Sequence, residues 1–380
     1  MLKNIAIIAA GQGAPQGDEN YCDNGIPFVK AGNLVELVEG KPITEIQKVS
    51  DEVAKKHKLR LYKKGSVLFA KSGMSCLKGY VYVLPQDAYV VSHLACVTPN
   101  EDISEYLRYY FQYNRPNKLI KDEAYPSISL ADIEELKIDI KTQIERDSIV
   151  RDLASVAHLI GLQKKQLQEF DTLIKSRFVE MFGDPVNNPF EWKKVSLSEL
   201  AEIKIGPFGS LLHKDDYIED GHPLVNPSHI KDGKIITDNK LTISDEKFDE
   251  MAAYHLKIGD VVMGRRGEMG RCAVVTEDGL LCGTGSLLIR SKGEITADYI
   301  QKIISFPSFK KIIEDMAVGQ TMPNLNVPIV SNFKIIKPPI GVQHKYYSFV
   351  HQIDKLKLTA KEGLKKLEIM QKALMQQYFC

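Results

Sequence analysis

The sequence predicts a mixed α+β (α/β) chain in which two globular units alternate with two long helices, the whole built as a pseudo-two-fold internal repeat. Three observations carry this reading. Segments near the start recur about 195 to 200 residues later, far beyond the period of a solenoid repeat, which runs about 20 to 50 residues. Each copy ends in a long, mostly polar stretch with apolar residues at helical steps of three and four. Before each stretch lie short apolar runs opened by a glycine, the pattern of buried strands entered through a turn.

The repeat is staged along the chain. Ile5-Ala6-Ile7-Ile8 faces Leu200-Ala201-Glu202-Ile203, and Ile26-Pro27-Phe28-Val29-Lys30 faces His222-Pro223-Leu224-Val225-Asn226. Gly65-Ser66-Val67-Leu68-Phe69 faces Gly259-Asp260-Val261-Val262-Met263, and Pro126-Ser127-Ile128-Ser129 faces Pro323-Asn324-Leu325-Asn326. A whole domain plus a helix is duplicated. Two similar but diverged halves suit a target that is itself bipartite and asymmetric.

The segments divide at 1–140 (first globular unit), 141–185 (helix), 186–338 (second globular unit) and 339–380 (helix). Pro185, Pro189, Pro338 and Pro339 mark the joins, because proline cannot sit inside a helix without losing a hydrogen bond. In the globular units Val67-Leu68-Phe69-Ala70 and Val261-Val262-Met263-Gly264 read as buried strands. Tyr80-Val81-Tyr82-Val83 and Ala273-Val274-Val275 follow them as further strands. Residues 105–113 and 297–305 read as helices, with Ser104 and Thr296 as N-caps.

The long helices span about 143–182 and 343–380. In the first, Leu153, Val156, Ile160, Leu167, Phe170, Ile174 and Met181 form a heptad seam interrupted at Gln163 and Arg177. In the second, Ile353, Leu356, Ala360, Leu367, Met370 and Leu374 form the matching seam, with gaps at Gly363 and Gln377. Equal length, phase and placement predict an antiparallel coiled coil of the two helices, a rod of roughly 50 to 60 Å. Packing of each helix on its own globular unit is the alternative.

Composition bounds the function. The chain of 380 residues is 44% hydrophobic and 26% charged, enough for two or three domains with proper cores. No apolar run approaches the roughly 18 residues of a membrane span, so no membrane role is expected. Residues 5–10 are too short for a signal-peptide core. The six cysteines are scattered without a Cys-x-x-Cys pair, which argues against disulfides and a zinc site and fits free, mostly buried thiols in a reducing cytoplasm. The net charge is only +1, so any nucleic-acid contact must come from local basic patches or from partners.

Motifs of catalysis fail on inspection. Gly11-Gln12-Gly13-Ala14-Pro15-Gln16-Gly17 nearly spells a dinucleotide loop, but its third glycine is displaced and no long βαβ unit surrounds it, so it reads as a turn. There is no Walker A lysine loop. Asn188-Pro189-Phe190 lacks the second proline of the amino-methyltransferase box and reads as a linker. His93, His213, His222, His229 and His255 have no metal-ligand spacing. No catalytic residue and no metal site is expected.

What remains are basic and polar loops at equivalent places in both halves. Lys71-Ser72-Gly73 faces Arg265-Arg266-Gly267, with Lys78 and Arg271 a few residues on. Lysine and arginine on a glycine loop suit guanine edges or phosphates. Lys30, Asn33, Asn226, Ser228 and His229 lie at or after the matched proline-containing strand, where asparagine either reads adenine or serves a turn. Ser127, Ser129, Asn324 and Asn326 either face DNA or cap the helices that follow, capping being the reading for some of them. Residues 55–64, with no acidic member, form either a phosphate-facing strip or a solvated surface.

The chain resembles the specificity (S) subunits of type I restriction–modification enzymes over essentially its whole length. The resemblance rests on the order of globular unit and spacer helix, twice over. It also rests on Lys175-Ser176-Arg177-Phe178-Val179-Glu180-Met181-Phe182-Gly183-Asp184-Pro185, similar to the end of the family's central helix. Asn188-Pro189-Phe190-Glu191-Trp192-Lys193-Lys194-Val195-Ser196-Leu197 resembles the opening of a recognition domain. Ile26-Pro27-Phe28-Val29-Lys30 and Leu256-Lys257-Ile258-Gly259-Asp260-Val261-Val262 are similar to family phrases.

The resemblance implies a non-catalytic subunit. Two target-recognition domains each read half of a bipartite double-stranded DNA site, with the loops bearing Lys71 and Arg265-Arg266 in the major groove. The helices set the gap between half-sites and dock two modification subunits, which hold S-adenosylmethionine and methylate adenine. Restriction/translocase subunits using ATP and Mg join in some complexes. No cofactor is implied for this chain. The resemblance also implies that four residues added to the first helix widen the gap. Two departures stand out: Leu2 is already level with Leu197, so the Trp192 segment has no counterpart in the first half, and the last helix ends at Cys380 without a Gly-Asp-Pro exit. Trimming at either end is the expectation they set.

Three rival readings remain at this point. One is an orphan or inhibitory specificity-like protein that binds DNA or modification subunits without an active enzyme. Another is a piece of a fused methyltransferase–specificity chain. The third is a coiled-coil spacer that binds protein only, which leaves the matched basic loops unexplained.

Overall fold

The computed structural model describes residues 1–207, 211–317 and 324–380. They form two compact units, Met1–Lys165 with Ala360–Cys380, and Gln166–Thr359. Pro323, one of the matched prolines, lies outside the described residues.

The first unit contains strands β1 (Ala6–Ala10), β2 (Ile26–Val29), β3 (Lys48–Val49), β4 (Val67–Ala70), β5 (Val81–Val83), β6 (Tyr89–Val90) and β7 (Leu94–Pro99). The order β1-β7-β4-β5 makes an antiparallel sheet. A smaller sheet, β3-β2-β6, pairs β2 with β6 in parallel. Helices α1 (Asn33–Val38), α2 (Asp51–Lys56), α3 (Ser104–Tyr113) and α4 (Leu130–Glu134) follow their strands, and the long α5 (Gln143–Phe182) begins after them.

The second unit contains α6 (Leu197–Leu200), α7 (Asp245–Glu250), α8 (Ala297–Ile304), α9 (Pro307–Met316), α10 (Val327–Ser331) and the start of α11 (Ile340–Phe379). Its strands are β8 (Lys194–Ser196), β9 (Ala201–Ile205), β10 (Tyr217–Ile218), β11 (His222–Val225), β12 (Ile230–Lys231), β13 (Lys234–Ile235), β14 (Thr242–Ile243), β15 (Asp260–Gly264), β16 (Cys272–Val274), β17 (Leu281–Cys282), β18 (Ser286–Ser291) and β19 (Lys334–Ile336). Its main sheet, β9-β18-β15-β16, repeats the order of the first unit strand for strand. Its small sheet repeats the parallel pairing, now β11 with β17.

The duplication extends to the backbone demands that fix these sheets. Gly65 and Gly259, which open β4 and β15, both sit at positive φ (85° and 87°), where glycine alone is unstrained. Gly11 and Gly206 follow β1 and β9 at equivalent places. A Cβ on Gly11 would lie 2.2 Å from the Val90 carbonyl oxygen, and one on Gly206 2.0 Å from that of Gly283. The glycine run at 11–17 thus serves close strand approach and a turn.

One predicted cap differs. Thr296 caps α8 by accepting from the Tyr299 amide (3.2 Å), but Ser104 is the first helical residue of α3 and makes no cap bond. Ser104 is instead buried against Gly65.

Each unit also holds a pair of antiparallel helix segments. In the first, Tyr378 donates to Asp152 (2.8 Å), and Gly363 lies against Gln163. In the second, Lys357 pairs with Asp171 (2.5 Å) and Tyr346 donates to the Ile174 carbonyl (3.2 Å). Along α5, Leu153, Val156, Ile160 and Ile174 are buried, with Leu167 and Phe170 half-buried. Gln163 is half-buried in the same line, so it continues the seam.

On α11 the seam departs from expectation. Ile353 is buried and Leu367 and Leu374 half-buried, but Leu356 and Met370 are 52% and 51% exposed. The inward positions are Lys357 and Gln371, one residue later, followed by Ala360, Leu364 and Tyr378. Spacing won over residue type: the steps 353-357-360-364-367-371-374-378 hold one heptad phase throughout. Lys357 can occupy it because its alkyl stem buries while its ammonium reaches Asp171.

The helix ends anchor in the globular cores. Phe379 packs edge-on to Tyr106 and Tyr110 of α3 (5.4 and 5.9 Å between centroids). Phe178 and Phe182 pack on Tyr299 of α8 and on Tyr346. The join after α5 is also fixed: Gly183 turns at positive φ, and the Asn188 side chain bonds both the amide and the carbonyl of Trp192.

Candidate nucleic-acid interface

The loops that leave β4 and β15 are built alike. In the first unit Ser72 forms a β-bridge with Ser127. The Gly73 amide donates to the Pro126 carbonyl (3.0 Å), and the Ile128 amide to that of Lys71 (2.7 Å). In the second unit Arg266 bridges to Asn324, and the Leu325 amide donates to the Arg265 carbonyl (2.9 Å). Each unit therefore presents a two-stranded tip that joins a basic loop to the segment beginning at Ser127 or at Asn324.

The side chains on those tips differ. Lys71 is half-exposed, and its ammonium makes no hydrogen bond or ion pair among the described residues. Ser72 shares a hydrogen bond with His93 Nδ1 (2.8 Å). Lys78 is exposed at the end of the loop. In the second unit the Arg265 guanidinium donates to Asn324 Oδ1 (3.0 Å), and burial together with Arg266 lowers its pKa. Arg266 is exposed. Arg271 donates to the Pro227 carbonyl (3.1 Å) and pairs with Glu268 (2.8 Å).

Ser129 and Asn326 settle as caps, accepting from the amides of Asp132 (3.0 Å) and Ile329 (2.9 Å) at the starts of α4 and α10. Ser127 and Asn324 stand on the bridged tips.

The residues after the proline-containing strands are more constrained. Lys30 reaches Gln47 (2.7 Å) and lies over the Tyr21 ring, while Asn33 accepts from the Lys30 amide. Asn226 caps the short turn at residues 227–229, and Ser228 is exposed there. His229 is a correction: it is only 6% exposed, and its Nδ1 lies 2.7 Å from the Leu224 carbonyl oxygen. Its ring packs and locks the turn, so it cannot face a nucleic acid. The strip at 55–64 mixes roles. Lys55, Lys56 and His57 are exposed, Lys63 pairs with Asp87 (2.8 Å), and Arg60 stacks over Tyr62.

Among the described residues no cluster of metal-ligating side chains occurs, and no helix is long and apolar enough to cross a membrane.

The sequence profile described as "Type I restriction modification DNA specificity domain" matches residues 2–170 and 189–369, most of the chain and both halves of the repeat. The chain belongs to this family. It is therefore a type I restriction–modification specificity subunit, the DNA-recognition component and not a catalytic one. The specificity subunit of the type I restriction enzyme MjaIX from Methanocaldococcus jannaschii is 22% identical over 394 aligned positions, covering 93% of this chain and 85% of the relative. The S subunit of the type I system from M. genitalium shares the fold with a TM-score of 0.54 at 15% identity, covering 100% of this chain and 95% of the other. A structure reported for complex assembly and conformational transition of the type I R-M system superposes with a TM-score of 0.62 at 17% identity, covering 100% and 96%.

Proposed function

We propose that this specificity subunit reads a bipartite, asymmetric double-stranded DNA sequence, one half-site per globular half, and holds two modification (methyltransferase) subunits on its helices. The observation that carries the reading is one loop dressed in two ways. Lys71-Ser72 and Arg265-Arg266 leave equivalent strands of equivalent sheets and bridge to equivalent neighbouring segments. Equal backbones with unequal side chains serve two different half-sites. A lysine offers a compact point charge, whereas the fork of an arginine matches O6 and N7 of guanine.

The docking half of the proposal rests on the outer faces of the helices. Leu159, Leu162, Ile369 and Met370 in the first unit, and Leu173, Leu356 and Leu358 in the second, are apolar and exposed. Exposed apolar residues repeated along a helix suit partner helices. On this reading S-adenosylmethionine belongs to the modification subunits. ATP and Mg belong to restriction/translocase subunits where these join. This chain itself holds no cofactor. The free cysteines, mostly buried, fit a cytoplasmic setting.

The test is methylome sequencing of a host with and without this gene. Loss of a bipartite methyladenine motif supports the reading. An unchanged methylome contradicts it and favours a protein that binds modification subunits without forming an active enzyme.

A further inference from the structure

The second unit carries a groove that the reading above does not use. Its volume is about 690 Å³, and it lies between the β12–β13 hairpin, the loop at 265–271, and helices α8, α9 and α5. Five cations line it: Lys175, Lys231, Arg271, Lys302 and Lys310. Against them stand two carboxylates, Asp232 and Glu268. Glu268 is already committed, since Arg271 (2.8 Å) and Lys310 (3.0 Å) hold its carboxyl below the usual range.

That leaves Lys175, Lys231 and Lys302, whose ammonium groups make no hydrogen bond or ion pair among the described residues. Lys302 is partly buried on α8, and burial with the nearby Lys175 lowers its pKa. Lys231 is exposed at the end of β12, just before a two-residue hairpin turn in which Asp232 and Gly233 both adopt positive φ (51° and 72°). The matching place in the first unit is a slit of about 40 Å³ beside α1, with Lys78 as its one charged residue. Burial and Lys175 outweigh the opposing pull of Asp171 and Asp354 on Lys302. A partly buried ammonium in a groove with four further cations and one uncommitted carboxylate costs stability, and its retention points to an anion that arrives later.

We propose that this groove binds phosphate, and that its occupant is the backbone of one DNA strand running beside the half-site that residues 265–271 read. Arg271 belongs both to that loop and to the groove wall, which makes the two surfaces continuous. The proposal rests on the DNA-reading role proposed above. Such contacts set register and affinity without reading sequence.

The experiment measures binding of the full chain to a fluorescent duplex of about 30 base pairs by anisotropy across a salt series, where each phosphate contact contributes about 0.9 to the slope of log K against log salt. The variants are Lys231→Gln, Lys302→Met and the two combined. The combined variant is expected to bind about tenfold more weakly and to lose nearly two units of slope. Lys302→Met is expected to melt at a higher temperature than wild type, which separates lost contact from lost fold. Wild-type affinity and slope in the combined variant overturn the proposal while leaving DNA reading intact. Unchanged duplex binding together with lost affinity for inorganic phosphate, by calorimetry, assigns the groove to a free phosphate ligand and overturns the backbone assignment. A wild-type chain that binds no duplex at any salt sinks both readings.

Discussion

The two halves share their sheets, their bridged tips and their close-approach glycines, yet they differ in a cross-strand pair where the third strand of each main sheet begins. In the first half Ser66, fully buried, shares a hydrogen bond with Thr98 (2.9 Å). In the second half the same position is an ion pair, with Arg290 donating twice to Asp260 (2.8 and 2.6 Å) and Asp260 also accepting from the Lys257 amide. Similar divergence appears around the tips: lysine and serine against two arginines, a narrow slit against a basic groove. What is duplicated is what the backbone requires. What has diverged is side-chain chemistry that the same backbone tolerates, and on the proposed reading that is where two half-sites are told apart.

Four substitution pairs sharpen or break this comparison. The largest effect is expected at the cross-strand pair. Arg290→Met leaves the buried Asp260 without its counter-charge and should cost about 3 to 4 kcal/mol, whereas Thr98→Val should cost about 1 to 2 kcal/mol, both read by urea unfolding. Equal losses would mean that the charged pair is not the stronger dependence. Next come Gly11→Ala and Gly206→Ala, where a Cβ meets a carbonyl oxygen at 2.2 and 2.0 Å. Each should destabilise by about 2 to 3 kcal/mol, and a tolerated alanine in one half would show that the backbone demand is not shared. Lys71→Ala and Arg265→Ala should leave the melting temperature nearly unchanged and weaken target-duplex binding by about 1 to 3 kcal/mol, each relaxing a different half-site. The smallest effect is at the caps: Ser129→Ala and Asn326→Ala should each lower stability by about 1 kcal/mol, because they leave the equivalent helix amide unpaired.

Much of this architecture is legible in the sequence because it rests on spacing. The first long helix, read as about 143–182, is Gln143–Phe182, and β4 is the strand read from Val67-Leu68-Phe69-Ala70. The second long helix begins slightly earlier than read, at Ile340, directly after Pro338-Pro339. Apolar residue types point to Leu356 and Met370 and so misphase the seam of α11. The heptad itself passes through Lys357 and Gln371, whose polarity hides their position. The central strands β7 and β18 carry no matched phrase, since Leu94-Ala95-Cys96-Val97 and Leu287-Leu288-Ile289 share hydrophobicity but little identity. Only the sheet order reveals them as equivalents.

The candidate site was legible in part for a related reason. Lys71-Ser72 and Arg265-Arg266 stand out because the repeat aligns them. His229 stands beside Asn226 and Ser228 after the proline-containing strand, and only the burial of its ring distinguishes it. The basic groove could not be seen at all, because Lys175, Lys231, Lys302 and Lys310 come from four separate elements brought together by folding.

The most direct test of two halves with separate readings is methylome sequencing of a host carrying the wild-type gene beside one carrying Arg265→Gln with Arg266→Gln. The account predicts a bipartite motif in which one half-site loses stringency and the other keeps every base. Simultaneous change in both half-sites, or an unaltered motif, would contradict it.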